Sequence, residues 1–147
     1  MISISREIEI DMGHRLPNHK SKCRNLHGHR YRFEITVIGP ICEHTGFSDE
    51  GMIVDFSVLK SILKEVIEDP YDHGFMVASQ DPLAHSLSDL CGPQGLKLII
   101  VPYIPTAENM CAHISDDLIR ALTPHQLTLQ SLKVWETPTS FAEYRTI

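Results

Sequence analysis

Three histidines and a cysteine stand close together near the start of the chain: His14, Cys23, and His27-Gly28-His29. Three neutral imidazoles are a common way to hold a catalytic zinc ion with one coordination position open. A thiol beside such an ion, rather than bound to it, is placed to act as an acid or base. Lys20, Lys22 and Arg24 flank Cys23. Positive charge stabilises a thiolate, and the same cluster suits a polyphosphate. Two plainer readings stand beside these. Cys23 can be the fourth ligand of a structural zinc, and Lys20 and Lys22 can belong to a solvated loop.

Two more groups carry chemistry. Asp72 directly precedes His73, and a carboxylate beside an imidazole raises its basicity and fixes its tautomer. Glu136 shares parity with Leu132 and Val134, which reads either as an acid at the buried end of a strand or as a solvent-exposed strand end. A buried carboxylate is costly unless paired, so a cationic or N–H-rich partner is implied. His19, His44, His85, His113 and His125 lack such convergence, and Cys42, Cys91 and Cys111 read as plain thiols.

The elements that position these groups follow from periodicity. Ile2, Ile4, Ile8, Ile10 and Met12 fall on even positions opposite Ser3, Ser5, Glu7, Glu9 and Asp11, with Arg6 as the one break. That alternation predicts a half-buried strand. Tyr31, Phe33, Ile35 and Val37 repeat the pattern on odd positions, up to Gly39-Pro40. Side chains two apart on a strand point the same way. The even face of the first strand therefore runs into His14, and the odd face of the second begins with His27 and His29. A hairpin brings all three imidazoles to one side of the sheet, with Gly28 leaving the gap between two of them uncrowded.

A helix is predicted from Phe56 through Ile67, with Asp55 or Ser57 as cap and Pro70 as stop. A second starts at Thr106 as N-cap, presents Met110, Ile114, Leu118, Ala121 and Leu122, and ends before Pro124. Strands are expected around 131–136 and 141–146. Between the helices, the Pro-, Gly-, Ser- and Asp-rich stretch from about Ala78 to Gly95 reads as a loop or lid, with Leu98–Val101 as an optional short strand. The expected architecture is α+β: an antiparallel four-stranded sheet with two helices on one face, in the order ββααββ.

Composition narrows the class. A chain of 147 residues with 42% apolar content supports one hydrophobic core, so residues 1–147 are expected to form one domain. A net charge of −6 argues against nucleic-acid binding through a broad basic surface. Widely spaced cysteines without a C-x-x-C pair, and a start without a signal-peptide pattern, lead to the expectation of a cytoplasmic protein. The longest apolar stretch is far below the ~20 residues of a membrane span.

Taken together, the motifs resemble the 6-pyruvoyl-tetrahydropterin synthase family over nearly the whole chain. The resemblance rests on His14-Arg15-Leu16, the C-x-x-x-H-G-H of Cys23 to His29, and Gly51-Met52-Ile53-Val54-Asp55-Phe56 with Leu59-Lys60. Asp72-His73, Pro105-Thr106-Ala107-Glu108-Asn109 and Trp135-Glu136-Thr137 follow in family order. The short gap between Cys23 and His27 resembles the bacterial branch that forms the 6-carboxy product in queuosine biosynthesis.

The resemblance implies a tunnelling fold, with subunits joined into trimers and hexamers and active sites at their interfaces. It implies Zn²⁺ on His14, His27 and His29, Cys23 as general base, and Asp72 and His73 as supporting relay. Glu136 is then the anchor of the pterin ring, and Thr106 lines the same pocket. The implied reaction converts 7,8-dihydroneopterin triphosphate to 6-carboxy-5,6,7,8-tetrahydropterin, acetaldehyde and triphosphate. A pyruvoyl product or an aldol cleavage at the same site are the alternatives, and a zinc-stabilised binding module is the non-enzymatic one. Two departures from the family pattern stand out: residues 77–105 form a long insertion, and no Leu-Asn follows Asp72-His73.

Overall fold

The computed structural model describes residues 1–147. Strands β1 (Ser3–His14) and β2 (His27–Ile38) form one long antiparallel hairpin in which Met12 faces His29 and His14 faces His27. The even side chains of β1 and the odd ones of β2 enter the core, as the alternation requires: Ile10, Met12, Tyr31, Phe33, Ile35 and Val37 are all buried. Strand β5 (Thr128–Thr137) adds to β2 and β6 (Ser140–Arg145) to β5, both antiparallel.

Helix α1 (Phe56–Leu63) starts where Asp55 accepts a hydrogen bond from the Ser57 amide at 2.7 Å. Helix α3 (Ala107–Leu122) starts where Thr106 accepts one from the Asn109 amide at 3.2 Å. Each cap satisfies an N–H that the first helical turn leaves without a partner. Both helices cover the same face of the sheet. Leu59, Ile62, Leu63 and Ile67 meet Met110, Ile114, Leu118 and Leu122 over the strand side chains in one continuous core. Each such side chain contributes roughly 1.5–3 kcal/mol of burial.

Three expectations change. The sheet has six strands, not four, in the order β4-β3-β1-β2-β5-β6. Strand β3 (Phe75–Ala78) runs parallel to β1 and to β4 (Leu98–Val101), so the sheet is mixed. Both added strands are short apolar runs that show no alternation; β3 is largely covered on both faces, whereas β4, at the sheet edge, leaves Ile100 exposed. Second, residues 77–105 are structured: between β3 and β4 lies helix α2 (Ala84–Cys91), which buries only Ala84. Third, Pro70 does not end the first helical segment. The helix widens into a π-turn over Lys64–Glu68 and closes with a last turn, Asp69–Tyr71. The wider turn takes the Asp69 amide to the Lys64 carbonyl, and Pro70, which has no amide to donate, enters at the first turn of the closing piece.

Gly74 stands where the family pattern has Leu-Asn after Asp72-His73: a Cβ there would lie 2.4 Å from Cδ1 of Ile99, so the glycine lets the Ile99 side chain of β4 pack close. No helix is long and apolar enough to cross a membrane.

Candidate functional site

At one end of the β1–β2 hairpin the three histidines converge on the helix side of the sheet. Ring centroids lie 4.7 Å apart for His14 and His27, 5.1 Å for His14 and His29, and 5.0 Å for His27 and His29. One nitrogen from each lies within 4.8 Å of the others. His14 Nδ1 is 2.8 Å from the Pro105 carbonyl, and His27 Nδ1 is 2.8 Å from the Asn25 carbonyl. A carbonyl only accepts, so Nδ1 of His14 and of His27 each donate a hydrogen bond, and Nε2 is the nitrogen left to face the cluster. Nε2 of His27 and of His29 is buried without any hydrogen-bond partner. Buried polar atoms left unpaired are costly, and a divalent ion is the partner this donor set fits.

Burial is the main cause that lowers the pKa of His14 and of His29, and it outweighs Glu136 and, for His14, the Pro105 carbonyl, which act the other way. Both rings are therefore held neutral, the form that binds a metal. Beneath them lies Tyr31, fully buried, with its hydroxyl 3.2 Å from His14 Nδ1 and 3.3 Å from His14 Nε2. Burial, with Glu136 and Cys23 nearby, pushes the Tyr31 phenol far above its ordinary value, so it stays protonated. Tyr31 was assigned only to the core. Its parity with His27 and His29 is the signal that places it at the site.

Cys23 lies half-buried in a single 3-10 turn, Lys22–Arg24, above this cluster. The turn is tied down where the Leu16 amide donates to the Cys23 carbonyl at 2.9 Å. The converging donors are the three histidines, and Cys23 is not among them. Lys20, Lys22 and Arg24 are exposed. Cys111, by contrast, is buried and donates to the Leu132 carbonyl at 3.2 Å, and burial pushes its thiol up to about 11. It is an inert core thiol.

Glu136 stands where the pairing of β5 with β6 slips, between Trp135 and Thr137. Irregularities of this kind re-aim a side chain, and Oε1 of Glu136 comes to 3.7 Å from His29 Nε2. A cavity of about 510 Å³ opens there, with His29, Glu136, Trp135, Thr137 and Arg32 in its lining. Thr106 follows Pro105, the residue whose carbonyl holds His14. The histidines, Glu136 and Tyr31 thus gather at one end of the sheet.

Asp72 and His73 are placed differently. Oδ2 of Asp72 is 2.8 Å from His73 Nδ1, and Oδ1 accepts from the Asp11 amide at 3.0 Å. Burial alone raises the Asp72 pKa, but the Asp11 amide, His73 and Lys97 outweigh it and leave the carboxyl below its ordinary value. His73 has a φ of 60° and a side chain 76% exposed, and it borders a depression shared with Asp11, Gly13, Gly28 and Arg30. That is the outer side of the sheet, where Arg30 pairs with Asp11 at 3.1 Å. The pair is formed; His29 also borders this depression, but neither Asp72 nor His73 is among the converging donors.

Gly28 serves a different purpose from the one expected. A Cβ there would meet the Met12 carbonyl oxygen at 2.9 Å and Gly13 Cα at 3.2 Å. It lets the two strands approach, rather than making room between the rings.

A hairpin carrying three histidines at one end, two helices on the same face and an acid at the neighbouring strand end thus form one candidate site. The sequence profile of the 6-pyruvoyl tetrahydropterin synthase family matches residues 3–146, and the chain belongs to that family. Among its relatives, the 6-carboxy-5,6,7,8-tetrahydropterin synthase of Haemophilus influenzae is 38% identical over 145 residues, covering 99% of both proteins. An uncharacterized protein from Wolinella succinogenes has the same fold with a TM-score of 0.79 at 21% identity, covering 99% of this chain and 98% of that one. The 6-pyruvoyl tetrahydropterin synthase of Caenorhabditis elegans follows with 0.68 at 20% identity, covering 99% and 96%.

Proposed function

We propose that the chain is a zinc-dependent lyase that converts 7,8-dihydroneopterin triphosphate to 6-carboxy-5,6,7,8-tetrahydropterin, acetaldehyde and triphosphate, a step of queuosine synthesis. The observation that carries this is the convergence of three imidazoles beside Glu136, whose carboxylate lies 3.7 Å from His29 Nε2. A structural metal has no use for that carboxylate. The 6-carboxy reading is supported by the full-length likeness to relatives named for that activity.

His14, His27 and His29 hold the ion through Nε2. Zinc bound there supplies Lewis-acid polarisation of the hydroxyl-bearing side chain. Glu136 accepts hydrogen bonds from the amino-pyrimidine edge of the pterin, which provides the N–H donors that its partial burial calls for. This fixes the ring so that its side chain lies at the ion. Cys23 removes a proton from the side-chain carbon, and Asp72 and His73 carry protons as the ring is reduced at the side chain's expense. Thr106 lines the same pocket. Tyr31, protonated and buried, walls the site from below.

Because Asp72 and His73 face outward, the reading includes a homo-oligomer, a trimer or a pair of stacked trimers. In it the relay of one subunit completes the imidazole cluster of another. The test is incubation of the zinc-loaded protein with dihydroneopterin triphosphate and mass spectrometry of the products. The carboxy product with acetaldehyde is expected. A pyruvoyl product, or a hydroxymethylpterin with glycolaldehyde, keeps the site but overturns the reaction. Zinc binding with no pterin product overturns the enzyme.

A further inference from the structure

Arg15 and Asp81 form an ion pair that the proposed chemistry does not use. Nε of Arg15 donates to Oδ2 of Asp81 at 2.7 Å, with the Arg15 side chain 15% exposed and that of Asp81 fully buried. Oδ1 of Asp81 accepts from the Leu83 amide at 2.8 Å, and its backbone carbonyl accepts from the Ala84 amide at 2.9 Å. Asp81 therefore closes the turn that leads into α2 and reaches Arg15 at the same time. Arg15 directly follows His14 in the chain.

The other end of the insertion returns to the same place. Pro105, just past β4, offers its carbonyl to His14 Nδ1 at 2.8 Å. The turn around it is stiff: Nδ2 of Asn109 donates to the Ile104 carbonyl at 2.9 Å, and the Thr106 amide donates to the same carbonyl at 2.8 Å. The excursion from Ser79 to Pro105 is thus fastened at both ends to two consecutive residues, His14 and Arg15. Between them α2 buries only Ala84, and the β3–β4 ladder carries the rest.

We propose that Arg15 and Asp81 are a positioning pair that couples the 79–105 excursion to the metal-holding end of β1. The pair sets where the excursion leaves the sheet, and so where Pro105 returns to fix the His14 tautomer. An imidazole whose far nitrogen is held by a carbonyl presents its other lone pair in one direction. Loosening the first fastening lets the second drift, and His14 then offers a mixture of tautomers. Neither residue touches substrate. The inference rests on the reading of His14, His27 and His29 as metal ligands.

The test compares wild type with Arg15→Gln, Asp81→Asn and the double variant as full chains. Zinc affinity is read by competition with a chromogenic chelator, and amide exchange is read by mass spectrometry on the metal-free protein. Each single change is expected to weaken zinc about tenfold and to speed exchange both at residues 82–97 and at 104–109. The double variant joins two neutral amides that can still hydrogen-bond, so it retains a folded chain to measure. It is expected to be no worse than either single, because the two residues act as one unit. Zinc affinity within twofold of wild type overturns the proposal, as does additive loss in the double. Faster exchange confined to 82–97 overturns it as well. Wild type that binds no zinc removes the metal reading instead, and exchange at 104–109 still decides the coupling.

Discussion

The imidazole cluster and the Asp72–His73 pair are built on opposite principles. The first turns inward: His14 is 1% exposed, its ring is backed by a carbonyl, and its neighbours' Nε2 atoms lack protein partners. The second turns outward: its carboxylate is anchored to the Asp11 amide while His73 stands 76% exposed. One half is assembled within a chain; the other is oriented by backbone contacts toward the surface. On the proposed reading, folding a single chain prepares metal capture, whereas proton relay waits for a second surface. This is the physical ground for placing the proposed active site between subunits.

The sharpest way to break this comparison is to remove one member from each half. His14→Ala is expected to lose stoichiometric zinc and to lower kcat by about a thousandfold, since a Lewis-acid ion supplies several kcal/mol to the transition state. His73→Ala is expected to keep zinc in full while losing about 10²- to 10⁴-fold in kcat, the usual range for a proton-transfer group. Metal analysis after dialysis and steady-state kinetics read the two effects. Zinc loss in His73→Ala ends the separation of the halves.

The next test puts the halves on different chains. Cys23→Ala is expected to bind zinc and to lose about 10²- to 10⁴-fold in kcat by itself. Refolded together with His73→Ala, it is expected to regain activity, because some interfaces then combine an intact thiol with an intact relay. A mixture no more active than its parts places both halves in one chain. Glu136→Gln comes lower in the order. It keeps the shape but not the charge that binds the pterin edge, so a loss of about 10- to 100-fold in kcat/KM is expected, equivalent to roughly 1.5–3 kcal/mol. Unchanged zinc content separates this effect from damage at His29, only 3.7 Å away.

How much of this was legible in the sequence differs between the halves for a physical reason. Alternation has a period of two, so continuing the faces of β1 and β2 to their ends places His14, His27 and His29 on one side with no tertiary information. The same rule reaches Tyr31. Asp72-His73 is visible as a dipeptide, but its outward direction depends on the Asp11 backbone, which no local pattern encodes. Strands β3 and β4 are four residues each, too short for a period to show. Helix α2 carries a short apolar stripe, Ala84, Leu87 and Cys91, but it spans two turns, buries only Ala84 and is flanked by Pro82 and Gly92-Pro93, so the stretch reads as loop. The Arg15–Asp81 pair joins residues 66 apart. The departure after Asp72-His73 was legible in the sequence, but the close packing of Ile99 against Gly74 appears only with β4 in place.

The smallest expected effect lies in the pH dependence of the metal-free protein, which again separates the halves. His14 and His29 have pKa values lowered chiefly by burial, so the native chain refuses protons that the unfolded chain accepts near 6.5. Stability is greater wherever pH exceeds the range in which the unfolded state binds more protons. These rings therefore leave stability intact above about pH 6.5 and reduce it as pH falls through that value toward their native pKa. Asp72, also lowered, acts in a separate window. Its contribution is present above about pH 4, the ordinary carboxylate value, and is lost as pH falls further. A melting temperature measured against pH should therefore fall in two stages. In His14→Gln the upper stage should shrink while the lower stays, and in Asp72→Asn the reverse should hold. A single stage abolished by either change would mean that the cluster and the relay titrate as one unit, and the division between them would be wrong.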